Sequence, residues 1–109
     1  MQDPGRVIDP VNAEAQAMSG ALFGLSAAIM NAITLAEGKV QEQNFPDYDA
    51  LRIDRCPEVA VVFRESGRHL GGLGEPATPP AAPALANAIF ALTGQRIRDL
   101  PLSRSVTFA

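Results

Sequence analysis

From Ala15 to Ala36 the chain carries no charged side chain. A stretch of that length is long enough to cross a bilayer as a helix. Its composition argues otherwise. Gln16, Ser19, Gly20, Gly24, Ser26, Asn31 and Thr34 interrupt it, and much of the rest is alanine. Only Leu22, Phe23, Leu25, Ile29, Ile33 and Leu35 supply strong insertion free energy, and no Trp or Tyr flanks the segment. The expectation is a helix from about Ala13 to Ile33 buried within protein, with no membrane span. Asn12 is read as its N-cap, with Asp9 ahead of Pro10 as the alternative. Gly20 and Gly24 lie four apart, and Ala28 continues the same face. Such a row of small residues serves close approach, either by another backbone in tight packing or by a ligand.

The remaining elements follow from local signals. Arg6-Val7-Ile8 reads as a strand end stopped by Pro10. Ile33–Gln41 reads as a hairpin turning at Glu37-Gly38. Ala50–Ile53 is expected to be extended, and the Val- and Phe-rich run Glu58–Glu65 to be a strand. Gly67–Pro76 is a glycine-rich loop. A second helix opens after Thr78 at Pro79-Pro80, presents Ala84, Leu85, Ala88, Ile89 and Leu92 as an apolar stripe, and stops at Gly94. Arg96-Ile97-Arg98 reads as a short strand. The class is α+β, with two main helices and a small antiparallel or mixed sheet. Both helices are apolar over much of their surface, which predicts that part of their packing partner lies outside the chain.

Several functions are disfavoured by composition. The 109 residues carry a formal net charge of −3, and the basic side chains are scattered, with Arg96, Arg98 and Arg104 the nearest to a group. That is too thin to neutralise phosphates, so nucleic acid is not an expected partner. One Cys and one His exclude a His- or Cys-rich metal site within the chain. Cys56 is read as a small buried apolar residue, and His69 as a solvated loop residue. Phe45 and Tyr48 are read as packing residues. No apolar stretch follows the N-terminal charges, so no secretory signal is read there and the compartment stays open.

The stretch with chemical content is Gly71-Gly72-Leu73-Gly74-Glu75-Pro76-Ala77-Thr78-Pro79-Pro80. Its glycines would allow positive φ and close approach to a ligand. Successive amides there could form an anion-binding nest. Pro76 restricts Glu75 and so limits where its carboxylate points. A single carboxylate on a rigid loop at a helix start is a reasonable seat for a general base. The spacing fits neither a dinucleotide fingerprint nor a P-loop.

This stretch, with the following Pro79–Phe90 run and Thr93-Gly94, closely resembles the C-terminal signature of the molybdenum-binding large subunits of xanthine oxidase-type molybdenum hydroxylases. The isoquinoline oxidoreductase and aldehyde dehydrogenase branch is the nearest. Gly5–Pro10 resembles the family's GRVxNP segment, with Asp9 where Asn is usual. Gln16, Gly20 and Phe23–Ala28 resemble its pterin-side helix, with Ser19 where Gly is common. Asn44-Phe45, Asp47-Tyr48 and Leu51-Arg52 match its NFxDYxxLR segment, and Arg96–Arg98 with Leu100–Leu102 its usual ending.

The resemblance implies that residues 1–109 are the C-terminal part of one molybdopterin-binding domain, with no second domain. It implies Glu75 as the catalytic base, and Gln16, Gly20, Gly72 and Gly74 beside the cofactor. The implied cofactor is molybdenum-molybdopterin, in its cytosine dinucleotide form. The implied partners are the remainder of the large subunit, an iron–sulfur small subunit, and an aldehyde or N-heterocycle as substrate. The chain alone would be inactive. Two alternatives stand beside this reading: a non-catalytic remnant or interaction module with Glu75 idle, and a small membrane-anchored protein using Ala15–Ala36.

Overall fold

The structure, a computed structural model, describes residues 1–108. Helix α1 spans Pro10–Ile29. Its cap is Asp9 rather than Asn12. The Asp9 carboxylate accepts the Asn12 amide at 3.1 Å and the Asn12 side-chain amide at 2.6 Å. Pro10, whose missing N–H would have had no helical partner, occupies the first turn. The helix ends one turn before the expected Ile33. The amides of Met30 and Asn31 both close on the Ser26 carbonyl, and the Asn31 side chain donates to the Asp49 carbonyl.

The buried residues of α1 are Ala13, Ala17, Gly20, Gly24, Ser26 and Ala28, none larger than serine or alanine. The large apolar side chains point elsewhere, and Phe23 is 70% exposed. The helix therefore turns its small-residue face inward, where backbones approach closely, leaving Leu22, Leu25 and Ile29 half-buried and Phe23 largely uncovered. Among the described residues no helix is long and apolar enough to cross a membrane.

The hairpin forms as expected: β1 (Leu35–Ala36) pairs antiparallel with β2 (Lys39–Val40), Leu35 opposite Val40. Glu37 (φ 52°) and Gly38 (φ 74°) both adopt the left-handed conformation that a two-residue hairpin turn requires. The Glu42 carboxylate accepts both the amide and the hydroxyl of Thr34, fastening the hairpin base. A 3-10 turn at Phe45–Asp47 follows, capped reciprocally by Asn44 and Asp47.

Helix α2 spans Ala81–Thr93 and ends at Gly94, whose φ of 72° and amide bond to Phe90 make the expected left-handed stop. Only part of its predicted stripe is used. Ala81 and Ile89 are buried and Leu85 half-buried against α1, whereas Ala84 and Ala88 are exposed and Leu92 is 87% exposed. The small core joins Ala28 of α1, Ile89 of α2 and Leu102 from a 3-10 turn at Leu102–Arg104, with Ala82, Leu85, Ile97 and Val106 packed around it.

The strands expected at Arg6–Ile8, Glu58–Glu65 and Arg96–Arg98 do not form, and Ala50–Ile53 is not a strand either. A strand needs a neighbour for its amides, and within this chain Phe63 finds one only in an isolated parallel bridge to Gln2. Leu51 instead donates its amide to the buried Ser26 hydroxyl at 3.1 Å. Cys56 is exposed rather than buried. Phe45 is 91% exposed and so does not pack within the chain, whereas Tyr48, 42% exposed, is partly covered. Arg96 is not simply solvated: it lies 3.6 Å over the Phe90 ring and donates to the Asn87 side chain at 3.1 Å.

The chain exposes 8114 Å², whereas a compact domain of its mass would expose about 5,800 Å². Its radius of gyration, 16.5 Å, exceeds the roughly 13 Å expected of a compact domain of this length. Both follow from a core built on one fully buried large side chain, Leu102.

Candidate active site around Glu75

Two contacts fix the loop that carries Glu75. The first is a brace from the N-terminal segment. Gln2 pairs with Val62 and Arg64 (3.0 and 2.9 Å), the Pro4 carbonyl accepts from Gly71 (3.0 Å), and the Gly5 carbonyl accepts from Gly67 (2.9 Å). The Asp3 carboxylate gathers the Gly5 amide (3.0 Å), the Ser66 amide (3.3 Å) and the Ser66 hydroxyl (2.9 Å). These donors, the Gly5 amide foremost and the Ser66 hydroxyl next, hold Asp3 below its ordinary carboxylate value. Gly5 is buried with φ +76°, and a Cβ there would sit 2.6 Å from the carbonyl oxygens of Arg68 and His69. The strap therefore lies flat against the lead-in to the glycine-rich loop.

The second contact is with α1. The Thr78 amide closes a turn on the Glu75 carbonyl at 2.9 Å, with Pro76 pre-setting its first central position. The Thr78 hydroxyl donates to the Gly20 carbonyl at 3.0 Å. Gly20 and Gly24 accept this turn: a Cβ at Gly24 would lie 2.5 Å from the Thr78 oxygen and 2.7 Å from the Ala81 Cβ, and one at Gly20 would lie 3.3 Å from the Ala77 Cβ. The glycine row of α1 thus makes room for the turn behind Glu75, the tight-packing use expected of it.

Glu75 is exposed and stands between two open hollows. One, of about 390 Å³, is walled by Ser19, Gly20 and Phe23 of α1 together with Gly74, Thr78 and Pro79. The other, of about 560 Å³, is rimmed by Gly72, Gly74, Pro76 and Pro79. The only ion pair among the described residues, Arg55 with Asp54, lies elsewhere, so the Glu75 carboxylate is tied to no cation within them.

The sequence-derived residues are distributed as follows. Gly20, Gly72, Gly74 and Glu75 meet at these hollows. Gln16 is exposed one turn before Gly20 on the same row of α1 and lines neither hollow; the His69 side chain lines neither. Gly71, Gly72 and Gly74 do not take positive φ as expected; the positive-φ glycines are Gly5, Gly38, Gly67 and Gly94. A Cβ at Gly72 or Gly74 would meet nothing within 4 Å, so no contact among the described residues requires glycine there. Among the described residues no three His, Cys, Asp or Glu side chains cluster as metal ligands. Sequence reasoning missed Asp3 and Thr78 as fasteners. The Asp3-Pro4-Gly5 turn signal was available for the first; Thr78 was legible only as the residue ahead of a helix start.

No protein-family model matches the chain. It is 39% identical over 100 residues to a membrane-bound aldehyde dehydrogenase (pyrroloquinoline-quinone) of Gluconacetobacter polyoxogenes, covering 92% of this chain and 13% of that protein. It is 36% identical, with the same coverages, to the isoquinoline 1-oxidoreductase subunit beta of Brevundimonas diminuta. It is 30% identical over 110 residues to a putative xanthine dehydrogenase molybdenum-binding subunit of Escherichia coli K12, covering 94% of this chain and 15% of that one. The chain thus spans about an eighth to a seventh of the length of these relatives. The fold matches part of a crystal structure of a Cu,Mo-CO dehydrogenase with a TM-score of 0.75 at 24% identity, over 89% of this chain and 14% of that one. Over about nine-tenths of its length, this chain is similar to a segment of oxidoreductase subunits, molybdenum-binding subunits of a xanthine dehydrogenase and an aldehyde oxidoreductase among them.

Proposed function

We propose that this chain forms one wall of the active site of a molybdenum hydroxylase, with Glu75 as its general base. In this reading, residues 1–109 are the C-terminal part of one molybdopterin-binding domain. The observation that carries the proposal is the placement of Glu75. Its turn is fastened on both sides, yet its carboxylate is left free between two hollows, beside glycines that no contact among the described residues requires.

The residues present fit the cofactor. No set of side-chain metal ligands occurs among the described residues, which suits a metal held by its own organic ligand rather than by protein donors. Gly72 and Gly74 offer bare backbone on the rim beside Glu75, where amides can approach such a group closely. Gln16 and Gly20 would complete contacts from α1, the cytosine dinucleotide form being the one proposed. When bound, the cofactor supplies the two-electron oxidation of the substrate carbon.

The work of this chain is positioning and proton transfer. The Glu75 carboxylate accepts the proton that water-derived oxygen gives up as it adds to an aldehyde or N-heterocycle carbon. The opposing wall comes from the remainder of the large subunit. The surface excess and the exposed Phe23, Ile53 and Leu92 are the apolar area that such packing would cover. An iron–sulfur subunit would then take the electrons onward.

In the assembled enzyme, Glu75→Gln removes turnover and leaves the molybdenum content intact. Undiminished turnover would dismiss Glu75 as the base. An assembled wild-type protein containing a quinone and no molybdenum would dismiss the cofactor assignment.

A further inference from the structure

We propose that Thr78 is the positioning residue for Glu75, its hydroxyl fixing the height and angle at which the Glu75 turn sits on α1. The inference rests on the reading of Glu75 as the base.

Three backbone and side-chain bonds converge on this residue. Its amide closes the turn onto the Glu75 carbonyl at 2.9 Å, and its own carbonyl accepts the Ala81 amide at 3.3 Å as α2 begins. Its hydroxyl reaches across to the Gly20 carbonyl at 3.0 Å, in a part-buried setting where water competes less. The sequence explains why the hydroxyl is available for that. A Thr ahead of a helix ordinarily accepts a first-turn amide. Here Pro79 and Pro80 have no amides to offer, and the Ala81 amide is taken by the Thr78 carbonyl. The hydroxyl therefore acts as a donor to the neighbouring helix.

The other contacts holding the turn are steric. A Cβ at Gly20 would come within 3.3 Å of the Ala77 Cβ and 3.4 Å of the Gly74 oxygen, and one at Gly24 within 2.5 Å of the Thr78 carbonyl. These close approaches stop the turn from moving inward. The Thr78 hydroxyl is the hydrogen bond that ties this turn directly to α1, and so resists its sliding along the helix or lifting away. The Gly20 carbonyl also lies within the α1 ladder, where the i+4 amide is its helical donor. Removing the hydroxyl consequently leaves no orphaned acceptor, and the fold has little reason to fail.

The test is made on the assembled enzyme with Thr78→Val, which keeps the shape, and Thr78→Ser, which keeps the hydroxyl. Thr78→Val should lower kcat about tenfold or more, the scale of a misplaced reacting group. KM should stay within about twofold and molybdenum per subunit unchanged. Thr78→Ser should recover most of the loss. In molybdenum-free protein, amide exchange at Thr78 should accelerate in the Val variant while the middle of α1 keeps its protection. Wild-type kcat in Thr78→Val, equal impairment in Thr78→Ser, or loss of molybdenum in step with kcat would each overturn the proposal. Glu75→Gln separates the two levels. If that variant is inactive while Thr78→Val is normal, only the positioning inference fails; if it turns over normally, the reading of Glu75 fails and the inference with it.

Discussion

A methyl group added at Gly24 should destabilise the protein, against the ordinary expectation for a helix interior. In an exposed helix Gly→Ala stabilises by about 1 kcal/mol. At Gly24 the new Cβ would lie 2.5 Å from the Thr78 carbonyl oxygen and 2.7 Å from the Ala81 Cβ. Both neighbours belong to the turn and first residue that launch α2, so neither can swing aside like the end of a flexible side chain. They must retreat by about half an ångström or more, and overpacking of this kind costs about 1–3 kcal/mol. Set against the helix gain, Gly24→Ala should lose up to about 2 kcal/mol. Gly20→Ala is the internal control. Its Cβ would meet Ala77, Gly74 and Thr78 at 3.3 to 3.4 Å, so these neighbours must give by only a few tenths of an ångström, offsetting part of the helix gain of up to about 1 kcal/mol. Native-state hydrogen exchange of the amides from Thr78 to Ala82, in the assembled protein, reads both. Gly24→Ala should accelerate exchange there by up to roughly 30-fold, and Gly20→Ala should change it less. A Gly24→Ala protein more stable than wild type would refute the close seating of the Glu75 turn on α1.

Two further perturbations test the supports around the site. The Asp3 carboxylate is held below its ordinary value of 3.8, first by the Gly5 amide and then by the Ser66 hydroxyl. Its contribution is complete above that value and is lost as pH falls through the lower folded-state one. Exchange at Gly5 and Ser66 should therefore accelerate over that acidic window in wild type, and Asp3→Asn should lack the transition; identical profiles would count against the strap. Leu102 is 1% exposed and joins Ala28 to Ile89, so Leu102→Ala should cost about 2–5 kcal/mol in urea unfolding. A loss well under 1 kcal/mol would show that the core lies elsewhere.

The elements legible in the sequence were those whose signals are local. Glu37-Gly38 announced its turn because both positions need left-handed backbone, and Gly94 announced the end of α2 for the same reason. The glycine row of α1 was readable as a close-approach face, although its partner, the Glu75–Ala81 segment, was not. The missed strands share one cause. Val59, Val61 and Val62 carry strand propensity, but a strand exists only through its neighbour, and the described residues supply this segment a single bridge, from Gln2 to Phe63. Cys56 was expected to be buried and Phe45 to pack because of their chemistry, yet both are exposed. At Gly72 and Gly74 the motif was visible and the backbone reason offered for it, positive φ, was not the one found. The long-range bonds that seat the site, Asp3 to Ser66 and Thr78 to Gly20, join residues 63 and 58 positions apart. No periodicity marks such pairs.

The most direct measurement is the rate of substrate-driven reduction in a single turnover of the assembled Glu75→Gln enzyme, taken together with its molybdenum content. A general base contributes roughly 10²- to 10⁴-fold, so the rate should fall by that amount with molybdenum per subunit unchanged. A metal-replete Glu75→Gln enzyme reduced at the wild-type rate would contradict the account, because the carboxylate seated on α1 would then have no part in the chemistry.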